Sequence, residues 1–167
     1  MKLLENMSVT DVPGFQAVGI HCGIKKNGNK DLCVLYSQKP AVAAATFTTN
    51  KVKAAPLQVN MEHLQWDTTQ AIVVNSGNAN ACTGEEGYIH AKEMANTAAE
   101  ALKLSPEQVL IGSTGVIGVP MPMQVVLPGI KAACDMLPRG KGSTAAEAIM
   151  TTDTFPKQIT VEIVLGD

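Results

Sequence analysis

QAIVVNSGNANACTGEE, residues Gln70 to Glu86, is the stretch whose reading decides how this chain folds. It opens on a short apolar run, Ala71-Ile72-Val73-Val74, of the kind that forms a buried strand. It then breaks into three Asn and a Gly between Asn75 and Asn80. It resumes at Thr83 and Glu86 with the T-x-x-E spacing of a helix N-terminus. A strand, a polar loop and a helix in that order form the unit from which α/β chains are built. At such strand ends backbone N–H groups are free and point into a crevice.

Outward from this unit the alternation continues. Glu86 to Leu104 carries Ile89, Met94, Ala98, Ala101 and Leu102 close to helical spacing. Ser105-Pro106-Glu107-Gln108 repeats a helix-start signature, but VLIG follows at once, so it opens at most one turn before a strand. The next loop is Gly112-Ser113-Thr114-Gly115-Val116-Ile117-Gly118. A helix is expected from about Pro128 to Leu137, then a loop at Arg139 to Gly142, then a short Ala-rich helix capped by Thr144 and Glu147. Residues 158 to 165 alternate cleanly, with Ile159, Val161, Ile163 and Leu165 on one face, which predicts a strand. That strand is expected to need a partner from another chain. On the N-terminal side, Phe15 to Ile24 and Asp31 to Ser37 read as strands around KKNGNK, whose Asn27-Gly28 pair is a hairpin signal. Ala41 to Thr48 is a third strand candidate.

Composition narrows the function classes. The 167 residues fit one domain, or a large part of one, and 46% hydrophobic with 17% charged residues is a globular balance. A net charge of −2 and 4% aromatics argue against a nucleic-acid surface. No apolar run reaches the roughly 20 residues of a membrane helix. MKLLENMSVTDVPGF has no apolar h-region, so the chain is expected to be cytoplasmic, with Cys22, Cys33, Cys82 and Cys134 reduced and mostly buried. No two of them form C-x-x-C, and His21, His63 and His90 are scattered. Neither a metal nor a cofactor is expected.

Three segments can carry chemistry. The Asn75 to Gly84 loop offers short directional donors and acceptors, although Asn and Gly are also the ordinary residues of a self-hydrogen-bonded turn. The Gly112 to Gly118 loop is not G-x-G-x-x-G and has no P-loop Lys. It reads either as a glycine-rich connector or as a small oxyanion cradle built from a hydroxyl and adjacent backbone amides. Met150-Thr151-Thr152-Asp153-Thr154 lies between a helix and a strand, where it could bind a polar ligand or simply turn the chain. No Ser/His/Asp set, Cys/His pair or carboxylate pair can be assembled. From the residues alone, the reading is an anion-stabilising half-site without a nucleophile.

Taken in order, these segments resemble the ornithine acetyltransferase (glutamate N-acetyltransferase) family. The matching stretches are Val12-Pro13-Gly14-Phe15 with Ala17 and Gly19, Ala44 to Val59 with Phe47-Thr48-Thr49-Asn50 and Ala54-Ala55-Pro56, Asn75 to Gly84, Gly112 to Gly118, and Met150 to Thr154. They span nearly the whole chain.

The resemblance implies an α/β fold of helices layered on two β-sheets, of the self-processing N-terminal-nucleophile type, completed by a β chain cut from the same precursor. Residues 1–167 then form part of a single domain, the α chain. The nucleophile is a Thr at the start of the β chain, activated by its own α-amino group. The acetyl group of N-acetylornithine passes to that Thr and then to glutamate; some members also use acetyl-CoA. Thr114 and Gly115 correspond to the oxyanion hole, and Thr152 is the best match to a substrate-contacting Thr. The assembly implied is α2β2. The family's α chain continues past the position of Asp167 through a Lys-Gly-Ser-Gly-like segment, which places the substrate-binding Lys and the cleavage point beyond this sequence. Two other readings stand beside this one: a related self-processing aminopeptidase or amidohydrolase, and a non-catalytic small-ligand binding domain.

Overall fold

The computed structural model describes residues 1–166. The elements run β1 (Lys2–Leu4), β2 (Phe15–Ile20), β3 (Leu32–Ala41), α1 (Ala55–His63), β4 (Thr69–Asn78), α2 (Gly84–Leu102), β5 (Val109–Val116), α3 (Met123–Met136), α4 (Gly142–Ala148) and β6 (Thr160–Glu162). The expected α/β architecture with two sheets is present. Strands β2, β3, β4 and β5 form one sheet in that order, and β1 pairs with β6 in a second. The first three strands of the larger sheet are antiparallel neighbours, whereas β4 and β5 are parallel. A parallel pair needs a crossover, and α2 supplies it.

The strand period of two divides the sheet cleanly. Val73, Val109 and Ile111 face α2 and α3, where Met94, Ala95, Ala98, Val126 and Ile130 complete the main core. The Ala-rich face of α2 lets it lie close to the sheet. Burying side chains of the size of Met94 or Ile130 is worth about 1.5–3 kcal/mol each. The opposite face carries Cys33 against Ala145 and Ala148 of α4, with Val74 packed alongside. There Cys33, Leu35, Ile72 and Val74 line an apolar hollow of about 500 Å³, closed on its other side by Ile149 and the segment from Gln158 to Val161.

The exposed edge of β5 is covered in an unusual way. The Asn60 side chain of α1 accepts the Ile111 N–H and donates to the Ile111 carbonyl, each at 2.8 Å. One turn on, His63 Nδ1 lies 2.7 Å from the Val109 carbonyl. Side chains of a helix thus take the place of a neighbouring strand.

Several expectations change. α1 was not legible, because its buried positions (Ala55, Pro56, Val59, His63) make a weak stripe. The strand expected at Ala41 to Thr48 stops at Ala41; the following residues have no regular structure, and Val42 is 90% exposed. Alanines bury too little area to hold a strand that has no neighbour. Helix α3 begins at Met123, five residues before Pro128, because Pro122 accepts the first N–H groups from Val125 and Val126. β2 and β3 separate at Ile20 and Leu32, so Asn27-Gly28 forms only the tip of a long loop and not a two-residue hairpin. Thr144 does not cap α4. Its hydroxyl donates to the Lys141 carbonyl and accepts the Gly19 N–H, riveting α4 to β2. The final strand is only Thr160–Glu162, and it finds its partner inside this chain, in β1. Asp167 lies outside the described residues.

Candidate functional site

The two loops singled out in the sequence meet at the C-terminal ends of the parallel strands. Asn75 aligns with Ser113, Ser76 with Thr114 and Gly77 with Gly115, before the register shifts at Asn78. Gly77 and Gly115 both hold positive φ, +101° and +135°. The backbones approach closely at this crossing. A Cβ on Gly115 would fall 2.4 Å from the Gly77 carbonyl carbon and 2.6 Å from the Asn78 nitrogen. Only glycine fits there.

The Asn-rich loop is a self-contained network. Fully buried Asn75 accepts the Ser113 hydroxyl at 2.6 Å and donates to the Asn78 carbonyl at 2.8 Å. Asn78 donates to the carbonyls of Val119 and Pro120 and accepts the Asn80 N–H. Asn80 donates to the Gly87 carbonyl, and its Oδ1 accepts the Thr83 hydroxyl at 2.9 Å. Thr83 occupies the N-cap position of α2, but its hydroxyl is spent on Asn80, so the expected capping box with Glu86 does not form. The three Asn, all buried, therefore tie β4, β5 and α2 together.

Thr114 is placed differently. Strand alternation turns Ser113 toward Asn75 and sets Thr114 on the other face, the side of Val74 and of Ser76, whose hydroxyl donates to Ala148. Thr114 is half-buried, and among the described residues its hydroxyl has no hydrogen-bond partner. The Ile111 N–H points to the β5 edge, toward Asn60, and by the same period of two the Ser113 and Gly115 N–H groups face that edge beyond the reach of α1. A free hydroxyl and an outward backbone N–H thus occupy adjacent residues at an open strand end. Val116, Ile117 and Val119 follow, all exposed. A hydroxyl and a backbone N–H are donor types that can stabilise a developing negative oxygen.

Thr152 lies in the exposed bend after α4, where Thr151 N–H binds the Asp153 carboxylate and Lys157 pairs with it. No hydrogen bond joins Thr152 to Thr114 or Gly115 among the described residues. What draws its segment toward the strand ends is Lys25, which gave no signal in the sequence. The Lys25 ammonium donates to the carbonyls of Met150 at 2.6 Å and Lys30 at 2.9 Å, and its stem packs beside Gly77. Burial holds its pKa below the usual lysine range, partly opposed by Asp31.

Asp31, read only as the first residue of a strand, organises the loop that carries Lys25. It is fully buried and accepts N–H groups from Cys22 at 2.6 Å, Lys25 at 2.8 Å and Gly23 at 3.2 Å. Burial alone would push this carboxyl up. The Cys22 and Lys25 N–H groups, the Cys22 thiol and nearby His21 outweigh it, and the net shift is downward. The cysteines are free. Burial, with Asp31 second, pushes Cys22 up to about 12; burial pushes Cys33 up to about 12 and, with help from Asp135, Cys134 to about 11. Cys82 alone is exposed. Among the described residues, no cluster of His, Cys, Asp and Glu could hold a metal, and no helix is long and apolar enough to cross a membrane.

Comparison with known proteins gives a consistent picture. The model of the ArgJ family matches residues 16–167. The arginine biosynthesis bifunctional protein ArgJ 1 of Clostridium acetobutylicum is 54% identical over 165 residues, which cover 99% of this chain and 40% of that protein. The arginine biosynthesis bifunctional protein ArgJ of Caldanaerobacter subterraneus subsp. tengcongensis is 54% identical over 149 residues, 89% of this chain and 37% of that protein. This chain therefore spans about 40% of the length of the curated relatives it matches. Among solved structures, ornithine acetyltransferase complexed with ornithine from Mycobacterium tuberculosis superposes with a TM-score of 0.89 at 39% identity, covering 95% of this chain and 86% of that one. Arginine biosynthesis bifunctional protein ArgJ from Bacillus halodurans superposes with a TM-score of 0.83 at 43% identity, covering 92% and 80%. With a family match over most of its length and close relatives in sequence and structure, the chain belongs to the ArgJ family.

Proposed function

We propose that this chain is the α half of a self-cleaved ornithine acetyltransferase of arginine biosynthesis, acting in the cytoplasm as part of an α2β2 assembly. The contrast in coverage supports a cut precursor. The chain spans 40% of the Clostridium relative but 80% and 86% of the crystallised chains. The structure of the M. tuberculosis relative with ornithine supports the substrate class.

In this reading the β chain's N-terminal Thr attacks the acetyl carbonyl of N-acetylornithine, and its hydroxyl proton passes to its own α-amino group. The carbonyl oxygen becomes an oxyanion held by the Thr114 hydroxyl and the Gly115 N–H. Collapse of the tetrahedral intermediate breaks the C–N bond and releases ornithine, leaving an acetyl ester on the Thr. Glutamate's amine then attacks that ester through the same oxyanion, and N-acetylglutamate leaves. Thr152 contacts the substrate. Acetyl-CoA would enter at the first step as an alternative donor.

The observation that carries the proposal is the Gly77–Gly115 crossing, which presents an uncommitted hydroxyl and an outward N–H side by side. Such donors act mainly in the transition state, so Thr114→Ala is expected to leave N-acetylornithine binding nearly unchanged and to slow acetylation of the nucleophile roughly 10²–10³-fold. Single-turnover acetyl transfer by cleaved, folded enzyme measures this. A near-normal rate removes Thr114 from the mechanism.

A further inference from the structure

We propose that Ser113 and Asn75 are positioning residues for acetyl transfer, fixing the Thr114–Gly115 peptide from the opposite face of the sheet; this rests on the oxyanion-hole reading of Thr114 and Gly115. Neither residue is placed to touch substrate. Asn75 is fully buried, and the Ser113 hydroxyl is engaged with it at 2.6 Å. Through Nδ2, Asn75 also holds the Asn78 carbonyl at 2.8 Å. Asn78 is where the register between β4 and β5 shifts, immediately after Gly77 has met Gly115. One side chain therefore grips β5 one residue before Thr114 and grips β4 just past the glycine crossing.

The need for such a clamp follows from the local backbone. On its outer edge β5 is supported by α1 only as far as Ile111, through Asn60. Beyond it the strand continues to exposed Val116, with positive φ at Gly115 inside the strand and at Gly118 just after it. Backbone bonds from Ala79 N–H to the Val116 carbonyl and from Gly118 N–H to the Ala81 carbonyl hold the chain after this peptide, and an oxyanion donor is effective only when held in place on both sides before charge develops. The Ser113–Asn75–Asn78 bridge lies on the α2 and α3 side of the sheet, so it orients the Thr114 hydroxyl and the Gly115 N–H without occupying the space in front of them. Asn60 forms a useful contrast. It makes two bonds to the same strand, four residues before Gly115, and so contributes stability without governing the donor peptide.

The test compares Ser113→Ala, Ser113→Thr, Asn60→Ala and Thr114→Ala in cleaved full-length enzyme. Urea midpoints and single-turnover acetylation by N-acetylornithine are measured well below every melting temperature. Ser113→Ala and Asn60→Ala are both expected to lower stability. Only Ser113→Ala is expected to slow acetylation, by about ten- to a hundredfold with substrate affinity unchanged, the scale of a small misplacement of reacting groups. Ser113→Thr, which keeps the hydroxyl, is expected to restore most of the rate. If Ser113→Ala does not fold, Ser113→Cys, with a weaker donor of similar size, is expected to show a smaller loss in the same direction. Normal acetylation by Ser113→Ala or Ser113→Cys beside a slow Thr114→Ala overturns the positioning role and leaves the oxyanion hole standing. Equal losses in Ser113→Ala and Asn60→Ala overturn it as well. A normal rate in Thr114→Ala overturns both readings together.

Discussion

Gly115→Ala puts the close crossing of β4 and β5 to a quantitative test. The new Cβ would sit 2.4 Å from the Gly77 carbonyl carbon, 2.6 Å from the Asn78 nitrogen and 2.8 Å from the Gly77 Cα. Carbon atoms prefer about 3.5–4.0 Å, so the strands must part by about 1 Å, and every atom met is backbone that cannot rotate away. A φ of +135° adds strain for any side chain. Overpacking at about 1–3 kcal/mol and backbone strain at about 1–3 kcal/mol predict a total loss of roughly 2–6 kcal/mol. Gly112→Ala, on the same strand, is the internal control. The nearest atoms its Cβ would meet belong to the Val74 side chain, whose methyl groups lie at 3.2 and 3.3 Å and can shift, so about 1 kcal/mol is expected. Urea unfolding of both variants reads the difference. In whatever Gly115→Ala remains folded, displaced donors should slow single-turnover acetylation about a hundredfold. Equal stability of the two variants would refute the close crossing, and a normal rate in Gly115→Ala would refute its link to the donors.

Other expectations are checked separately. Iodoacetamide at pH 8 should label Cys82 in the native protein and spare Cys22, Cys33 and Cys134, whose thiols burial holds at about 12, 12 and 11; labelling of all four without denaturant would contradict the burial assigned to them. Asp31→Asn replaces an acceptor of three N–H groups with a side chain that presents a donor, and should cost about 2–4 kcal/mol at pH 7. Because the folded-state pKa of Asp31 is depressed, its stabilisation is present above the ordinary carboxylate value of 3.8 and fades as pH falls through the lower folded value. The gap between wild type and Asp31→Asn in thermal melts should therefore narrow from pH 5 toward pH 2, and a gap that widens reverses the sign of the argument. Lys25→Met frees the Met150 carbonyl and should raise KM for N-acetylornithine by severalfold while sparing kcat, because it loosens the Thr152 segment and not the oxyanion donors; steady-state kinetics showing the opposite split would disconnect that segment from substrate.

What the sequence disclosed followed from how local its signals are. The strand of Ala71 to Val74, helix α2 and the strand opening at Val109 are each written in consecutive residues, and their loops could be recognised as strand-end loops. The β4–β5 parallel pairing and the fit of Gly115 against Gly77 depend on residues 38 apart in register, and no local pattern encodes them. Asn75, Asn78 and Asn80 suit a ligand or a turn by residue type; their partners on β5, on α2 and in the Val119–Pro120 segment join these parts of the chain. Asp31 and Lys25 were invisible for a related reason. The three N–H groups that hold the buried Asp31 carboxylate are main-chain donors of Cys22, Gly23 and Lys25, and main-chain donors leave no residue-type signature in the sequence. The alternation at residues 158 to 165 is real, but only three residues find a strand to pair with, and Ile163, Val164 and Leu165 stay exposed.

The most direct test of the account is the intact mass of the full gene product before and after a brief exposure to N-acetylornithine. The account predicts two chains, one of them containing these residues and unchanged in mass. The other should begin with Thr and gain the mass of one acetyl group, and it should lose that group when glutamate is added. A single uncut chain that still transfers acetyl groups, or an acetyl group found on the chain that contains Thr114, would contradict it.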